Sequence, residues 1–247
     1  MLGSPMTTQR RGLRRTHAFL QAFRDEQTNP GRLYTLMASD VIKTLSPHLD
    51  IAEALVLDVG GGPGYVADAF KSAGGICLTI DPSLEELHLH GRPSQLAIVA
   101  DGQLLPFFPG RFDIVHCSNV LEHVPRPQQL LSELSRCCAV NGLVYLSFTN
   151  WLSPWGGHEL SPWHYLGAER AVKRYEARGG TVKNLPGKSL HQLRIGDVLK
   201  WLKQDKTLDI LSVAPRYYPS WTQAITRIPG VREVLTWNLE VVMRRRA

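Results

Sequence analysis

The chain has 247 residues, 43% of them hydrophobic, and a formal net charge of +6 at pH 7. That length buries one sizeable core, or a core with a small appendage, and the composition is globular rather than disordered or fibrous. No apolar run approaches the roughly 20 residues that span a bilayer, and the opening MLGSPMTTQRRGLRRTHAFLQAF lacks the apolar core of a signal peptide, so the expectation is a cytoplasmic protein.

The positive charge is uneven. Arg10, Arg11, Arg14 and Arg15 cluster near the start and Arg244, Arg245 and Arg246 near the end. Such clusters serve either as solubilising tails or as contacts to anionic lipid headgroups or RNA, which makes the inner membrane surface an alternative location. Aromatic residues are not interleaved with these arginines, and no RNA-binding signature is present. Among the four cysteines, Cys77 and Cys117 fall in strand-like runs, while Cys137 and Cys138 stand together on an expected helix. Their spacing suggests neither a zinc site nor a disulfide framework; buried, reduced thiols are the expectation.

In chain order, residues 16–47 read as two helical segments split by TNPG, the second running from about Arg32 to Leu45. Strand and helix patterns then alternate. ALVLDV (54–59) is a short buried strand, followed by a helix through YVADAFKSAG. ICLTI (76–80), LAIVA (96–100), FDIVHCS (112–118) and GLVYLSF (142–148) are further strands, with a helix through QQLLSELSRCCA before the last of them. Near-continuous apolar strands alternating with helices imply a parallel sheet covered on both faces. Residues 150–191, rich in Trp, His, Gly and Pro, carry one expected helix at GAERAVKRYEARGG. A helix at 195–204 and strands in LDILSVAPRYY and TWNLEVVMRR close the chain. The fold class expected is α/β: a Rossmann-like seven-stranded, mostly parallel sheet with an antiparallel last strand and helices on both faces. It forms one domain, 1–247, with an N-terminal helical extension (1–47) and an insertion (150–191) over the carboxyl ends of the strands, where open α/β sheets bind ligands.

The loop after the first strand, LDVGGGPGY, decides the function. In one register GPGYVA fits a dinucleotide fingerprint, with Asp81 as the distal acid. Asp58 directly before the glycines would repel a pyrophosphate, and Pro63 removes a backbone N–H that a phosphate needs. The next strands also end in acids, which NAD does not require. A cationic sulfonium and amino group suit an acidic loop, and glycines admit a close backbone approach. An acid after the second strand can accept two ribose hydroxyls, and one after the third can accept from an adenine amino group.

With LDVGGGPGY, IDPS, VADGQLLPF and FDIVHCSNVLEHV in this order, the chain resembles the class I S-adenosylmethionine (SAM)-dependent methyltransferases over about residues 50–150. In style it is similar to the small-molecule and lipid branch that includes the ubiquinone-biosynthesis enzymes. The resemblance implies SAM as cofactor. It implies that Asp58, Gly60, Gly62 and Gly64 line its methionine end, and that Asp81 binds the ribose with Pro82 and Ser83 beside it. Asp101 and Gly102 would hold the adenine edge, and Asn119 would lie near the sulfonium. Taken singly, Asp81 and Asp101 read equally well as helix caps or turn residues.

Methyl transfer needs alignment, exclusion of water and, for an alcohol, a base. His158, in NWLSPWGGHELSPWHYLG beside a Gly-Gly pair read as a hinge, is the first candidate base, and His123 in NVLEHV is the second. Some methyltransferases of this fold hold a divalent metal in a Glu-x-x-Glu-His cluster; here Asn119 takes the first position. Glu122 and His123 alone are too few ligands, so no metal is expected. His88 and His90 lack further ligands and read as surface. No motif for methylation of DNA bases follows the fourth strand, so no DNA partner is expected. The acceptor expected is a small molecule, sugar or lipid-linked intermediate, methylated at oxygen, with carbon as the alternative. The arginine-rich style is also similar to actinobacterial methyltransferases, for which envelope glycolipids are a substrate class. The competing readings are an NAD-dependent oxidoreductase, a non-catalytic SAM-binding protein and an RNA methyltransferase.

Overall fold

The computed structural model describes residues 11–26, 28–91 and 96–247; Arg10 and the rest of the first ten residues lie outside them. Two helices, α1 (Leu13–Arg24) and α2 (Pro30–Leu45), precede the sheet. Helix α2 starts earlier than the expected Arg32. Asn29 caps it by accepting the Arg32 N–H, and Pro30 sits in the first turn, where its missing N–H costs nothing.

The strands are β1 (Leu55–Val59), β2 (Ile76–Asp81), β3 (Ala97–Val99), β4 (Phe112–Ser118), β5 (Cys138–Thr149), β6 (Leu208–Pro215) and β7 (Asn238–Arg245). They form one sheet in the order β3-β2-β1-β4-β5-β7-β6, with only β7 antiparallel to its neighbours. Helices α3 (Tyr65–Ser72), α4 (Leu84–Leu87), α5 (Pro127–Cys137), α6 (Ala168–Glu176), α7 (Ile195–Gln204) and α8 (Val231–Leu235) complete the fold.

Side-chain alternation divides the core between the two sheet faces. Leu57, Val59, Val144 and Leu146 pack with Leu130 and Leu134 of α5 and Val198 and Leu202 of α7. Val56, Ile114, Leu143 and Tyr145 pack on the other face with Val41 and Leu45 of α2 and Phe70 of α3. The expected fold class is therefore the observed one.

Two local readings change. Cys137 ends α5 and Cys138 begins β5, because the chain leaves the helix directly into pairing beside Phe112. Burial pushes the Cys138 thiol up to about 12, and raises the Cys117 thiol too, so these are inert thiols. The terminal arginines are not free tails. Arg11 pairs with Glu240 and donates to Thr44 Oγ1 (2.8 Å), and Arg15 clamps Asp40 and donates to the Arg216 carbonyl (2.7 Å). Arg244 donates to the His48 carbonyl (2.9 Å), Arg245 to the Ser135 carbonyl, and Arg246 pairs with Asp209. These guanidinium groups fasten the chain ends to the sheet. Arg14 and Arg246 are the exposed members of the described clusters.

The pinned extension reaches the glycine loop. Phe19, Ala22, Leu33 and Met37 bury against Tyr217, and Tyr34 stacks on Tyr65, the first residue of α3 (5.5 Å between ring centroids). No helix among the described residues is long and apolar enough to cross a membrane.

The Arg15–Asp40 clamp gives the first test. Burial alone would raise the Asp40 carboxyl, but the Arg15 hydrogen bonds and the Arg15, Arg11 and Arg216 charges outweigh it and hold the group below its ordinary value. A depressed carboxyl contributes stability that is complete above the unfolded value of about 3.9 and is lost as pH falls through the folded value. Asp40→Asn is expected to cost about 2–3 kcal/mol at neutral pH. The variant should also lose less further stability than the wild type on acidification, as read by denaturant titrations across the acid range.

Candidate active site

The glycine loop is shaped by backbone geometry that side chains oppose. Gly60, Gly62 and Gly64 all have positive φ (71°, 49° and 78°), a region that costs other residues about 1–2 kcal/mol. A Cβ at Gly60 would sit 2.2 Å from Val120 Cγ2, so the loop lies against the segment that follows β4. A Cβ at Gly62 would meet nothing closer than the Glu86 carbonyl at 3.9 Å, so this face of the loop borders open space.

Asp58 lies beneath the loop rather than in it. It is fully buried, and its Oδ1 accepts from His116 Nδ1 at 2.7 Å, a pair that bridges adjacent strands β1 and β4. The His116 ring stacks on Tyr145, whose hydroxyl donates to Glu240 Oε2 (2.8 Å). Asp58 thus anchors the loop from below through Oδ1, while its Oδ2 lies against Gly61 without a hydrogen-bond partner among the described residues.

Asp81 closes β2. Its carboxylate accepts the backbone N–H of Ser83 (2.9 Å) and of Gly62, tying the second strand to the loop; burial nonetheless pushes its pKa up. Pro82 beside it is exposed. Asp101 follows β3, is exposed, and accepts the Gln103 N–H (2.8 Å). Gln103 accepts from Arg126 N (3.1 Å) and Gln129 Nε2 (2.7 Å), bracing the Asp101–Gly102 turn on α5. Gly102 is needed there: a Cβ would meet Val59 Cγ1 at 2.9 Å. Asn119 takes a left-handed φ (56°) directly after β4 and accepts from Asn238 Nδ2 (2.7 Å).

The next residues make the second half of the site. Glu122 is fully buried; its Oε1 accepts the Thr149 N–H (2.9 Å), while Oε2 has no hydrogen-bond partner among the described residues. His123 Nδ1 donates to the Ser189 carbonyl (2.6 Å) and His158 Nδ1 points at the Gly156 carbonyl (3.4 Å). The two rings meet edge-on at 5.1 Å. Donor atoms of Glu122, His123 and His158 all lie within 4.8 Å of one another. Burial lowers the His158 pKa, with the Glu122 charge opposing, which favours a neutral imidazole.

Comparison with known proteins accounts for this arrangement. A family described as "Methyltransferase domain" matches residues 57–146. An "Uncharacterized methyltransferase" of Mycolicibacterium gilvum is 40% identical over 256 residues, covering 99% of each chain. Another, from Mycobacterium tuberculosis, is 41% identical over 244 residues, covering 94% of each. The chain belongs to the class I SAM-dependent methyltransferases. Its fold is shared with a SAM-dependent methyltransferase of Mesorhizobium loti (TM-score 0.58, 18% identity, 86% of this chain and 98% of that one). It is also shared with magnesium protoporphyrin IX methyltransferase of Synechocystis with bound SAH (TM-score 0.52, 19% identity, 87% and 84%). The dinucleotide register of the loop, and with it the oxidoreductase reading, is set aside.

The residues of this methyltransferase suit its cofactor. A side-chain-free loop face at Gly62 stands beside acids at the ends of β2 and β3, an arrangement for a cationic, hydroxyl-rich ligand rather than a phosphate. The insertion differs from a hinged lid. A Cβ at Gly156 would meet the Trp151 carbonyl at 2.0 Å, and one at Gly157 the His164 ring at 2.5 Å, so both glycines serve close packing. Trp151 packs on His164 (5.1 Å between ring centroids), and Glu159 holds Lys183 N and Asn184 N (both 2.7 Å). His88 and His90 are exposed, as expected.

Sequence reasoning missed an aromatic chain linking the extension to the insertion: Tyr217, Phe23, Trp237 and Trp155, with successive ring centroids 4.9, 4.4 and 4.6 Å apart. It also missed Arg216, buried with Nη1 donating to Ser118 Oγ (2.6 Å) and Ser147 Oγ (2.9 Å). Only the PRYYPSW and TWN stretches, dense in aromatics, hint at either.

The loop geometry separates two alanine substitutions. Gly62→Ala is expected to keep the fold with a small loss of melting temperature and to weaken SAM binding about tenfold, or about 1.4 kcal/mol. Gly60→Ala must also displace Val120 and should lower the melting temperature further. Calorimetric SAM titration alongside thermal melts checks both.

Proposed function

We propose that this methyltransferase methylates an oxygen atom of a small-molecule, sugar or lipid-linked acceptor, with carbon as the alternative target. One observation carries the reading: the Glu122–His123–His158 cluster stands just beyond β4, braced by the insertion and two residues from Val120, which touches the glycine loop. When bound, SAM supplies a methyl carbon already activated by its sulfonium.

The protein then has three tasks, and separate parts of the chain suit each. Asp81, Asp101 and the loop backbone bind and orient the cofactor. The insertion and the aromatic chain exclude water, which strengthens every polar contact beneath them. The cluster receives the acceptor: two half-buried imidazoles with Nδ1 turned toward carbonyls leave Nε2 for an acceptor hydroxyl, which must shed its proton during attack. Carboxylate or phenolate acceptors would need no such group, so the cluster favours an alcohol.

An amphiphilic acceptor is supported by the surface of the same region. Trp155, Tyr165 and Leu166 are about half exposed and Trp221 is 75% exposed, while α6 displays Arg170, Lys173 and Arg174. Apolar chain and anionic group would both find partners there.

Two variants tested in parallel separate the tasks. Asp81→Ala is expected to weaken SAM binding. His158→Ala should leave SAM affinity within about twofold and cut transfer by roughly 10²–10⁴, the usual worth of a group that handles the transferred proton. Transfer is measured as label from methyl-labelled SAM entering the lipid and aqueous fractions of native cell extract. If neither change alters binding or transfer, the reading is wrong.

A further inference from the structure

An unexplained feature of the acceptor half of the site is the second oxygen of Glu122. A carboxylate removed from water costs several kcal/mol unless its oxygens are paired. Glu122 satisfies Oε1 on the Thr149 amide but leaves Oε2 buried without a hydrogen-bond partner among the described residues. Two histidines stand beside it. His123 donates through Nδ1 to Ser189 O, and His158 turns Nδ1 toward Gly156 O, so Nε2 is the ring atom left for a ligand in each. A carboxylate oxygen without a protein partner and two imidazoles are thus gathered at one point.

We propose that Glu122, His123 and His158 form a divalent transition-metal site, binding through Oε2 and the two Nε2 nitrogens, with its remaining coordination positions open to the acceptor. One ligand atom of each residue already lies within 4.8 Å of the others, so small side-chain shifts bring the three groups to the ~2.0–2.2 Å bonds of such a cation. A ring N–H donated to a backbone carbonyl is the usual outer-shell support of a metal-bound histidine. Two imidazoles and a carboxylate favour zinc, iron, cobalt or manganese over magnesium and calcium, which prefer all-oxygen shells. Three protein ligands leave a position free, as in catalytic rather than structural sites.

Asn119 is not a fourth ligand: its Oδ1 is engaged by Asn238. The third donor comes instead from the insertion, so the cation would bind the insertion to the sheet. An acceptor hydroxyl on the open position would be oriented toward the cofactor side and would release its proton to solvent more readily. With the cation bound, the two Nε2 atoms would hold it instead of meeting the acceptor hydroxyl directly, so the cation replaces the free imidazole base while the proposal still rests on the acceptor-site reading above.

The test uses the full chain, stripped with chelator, saturated with SAH and titrated with Co²⁺, whose visible absorption reports coordination. Wild type is expected to take up one equivalent, with imidazole-type ligand-field bands. His158→Ala and the milder His123→Gln should each weaken uptake more than about tenfold. Both should keep SAH affinity, which guards against a folding defect, and His88→Ala should change nothing. Absence of Co²⁺ uptake by wild type, or unchanged uptake by His158→Ala, overturns the proposal. Label transfer by metal-free protein with no Co²⁺ uptake would sink the cation and leave the acceptor-site reading standing. Co²⁺ uptake without transfer to any fraction would do the reverse.

Discussion

A buried carboxylate between the ends of two parallel strands organises the acceptor half of this methyltransferase. Glu122 cannot stay ionised in an apolar interior without compensation. One part of that compensation is local: the Thr149 amide at the end of β5 donates to Oε1. The Glu122 carbonyl also accepts the His191 N–H (2.7 Å), which brings the far end of the insertion back to the sheet. His158 arrives from the near end of the same insertion. Several elements are thereby committed to one point, just beyond the strand that carries Asn119.

A second buried polar line supports the cofactor half. It runs from Asp58 through His116 and Tyr145 to Glu240 and Arg11, crossing β1, β4, β5 and β7 before reaching the N-terminal extension. Each member contacts the next by a hydrogen bond, ion pair or ring stack, while Asp58 Oδ2, His116 Nε2 and Arg11 Nη1 stay buried without a hydrogen-bond partner among the described residues. Asp58 therefore shapes the glycine loop by holding what lies under it. Buried acids explain why the N-terminal arginines point inward: Asp40 on α2 and Glu240 on β7 both require cations. Fold and acceptor chemistry are separable, since one sheet architecture serves many sites.

Much of this was legible in the sequence, for identifiable reasons. Parallel strands buried on both faces write themselves as unbroken apolar runs, so β1, β2 and β4 could be placed within a residue or so. The candidate cofactor half could be read because its residues are local: each acid closes its own strand, and the glycines are contiguous. The acceptor half could not, because its geometry is tertiary. Glu122 and His123 looked like an incomplete ligand pair, and His158, which the fold brings beside them, lies on a separate element. Gly156 and Gly157 looked like a hinge because spacing cannot reveal the Trp151 carbonyl and the His164 ring packed against them. Asp58 could be seen next to the loop but not above His116, which belongs to another strand. The arginines near the termini looked solvated because their partners Asp40, Glu240 and Asp209 sit far away in the chain.

The central claim is that cofactor loop and side-chain cluster form one continuous site. A crystal structure with SAH bound tests it most directly. The account predicts the ribose hydroxyls on Asp81, the adenine beside Asp101 and Gly102, and the sulfur directed across Asn119 toward His123 and His158. A sulfur facing away from those imidazoles, or walled off from them by the insertion, would contradict it.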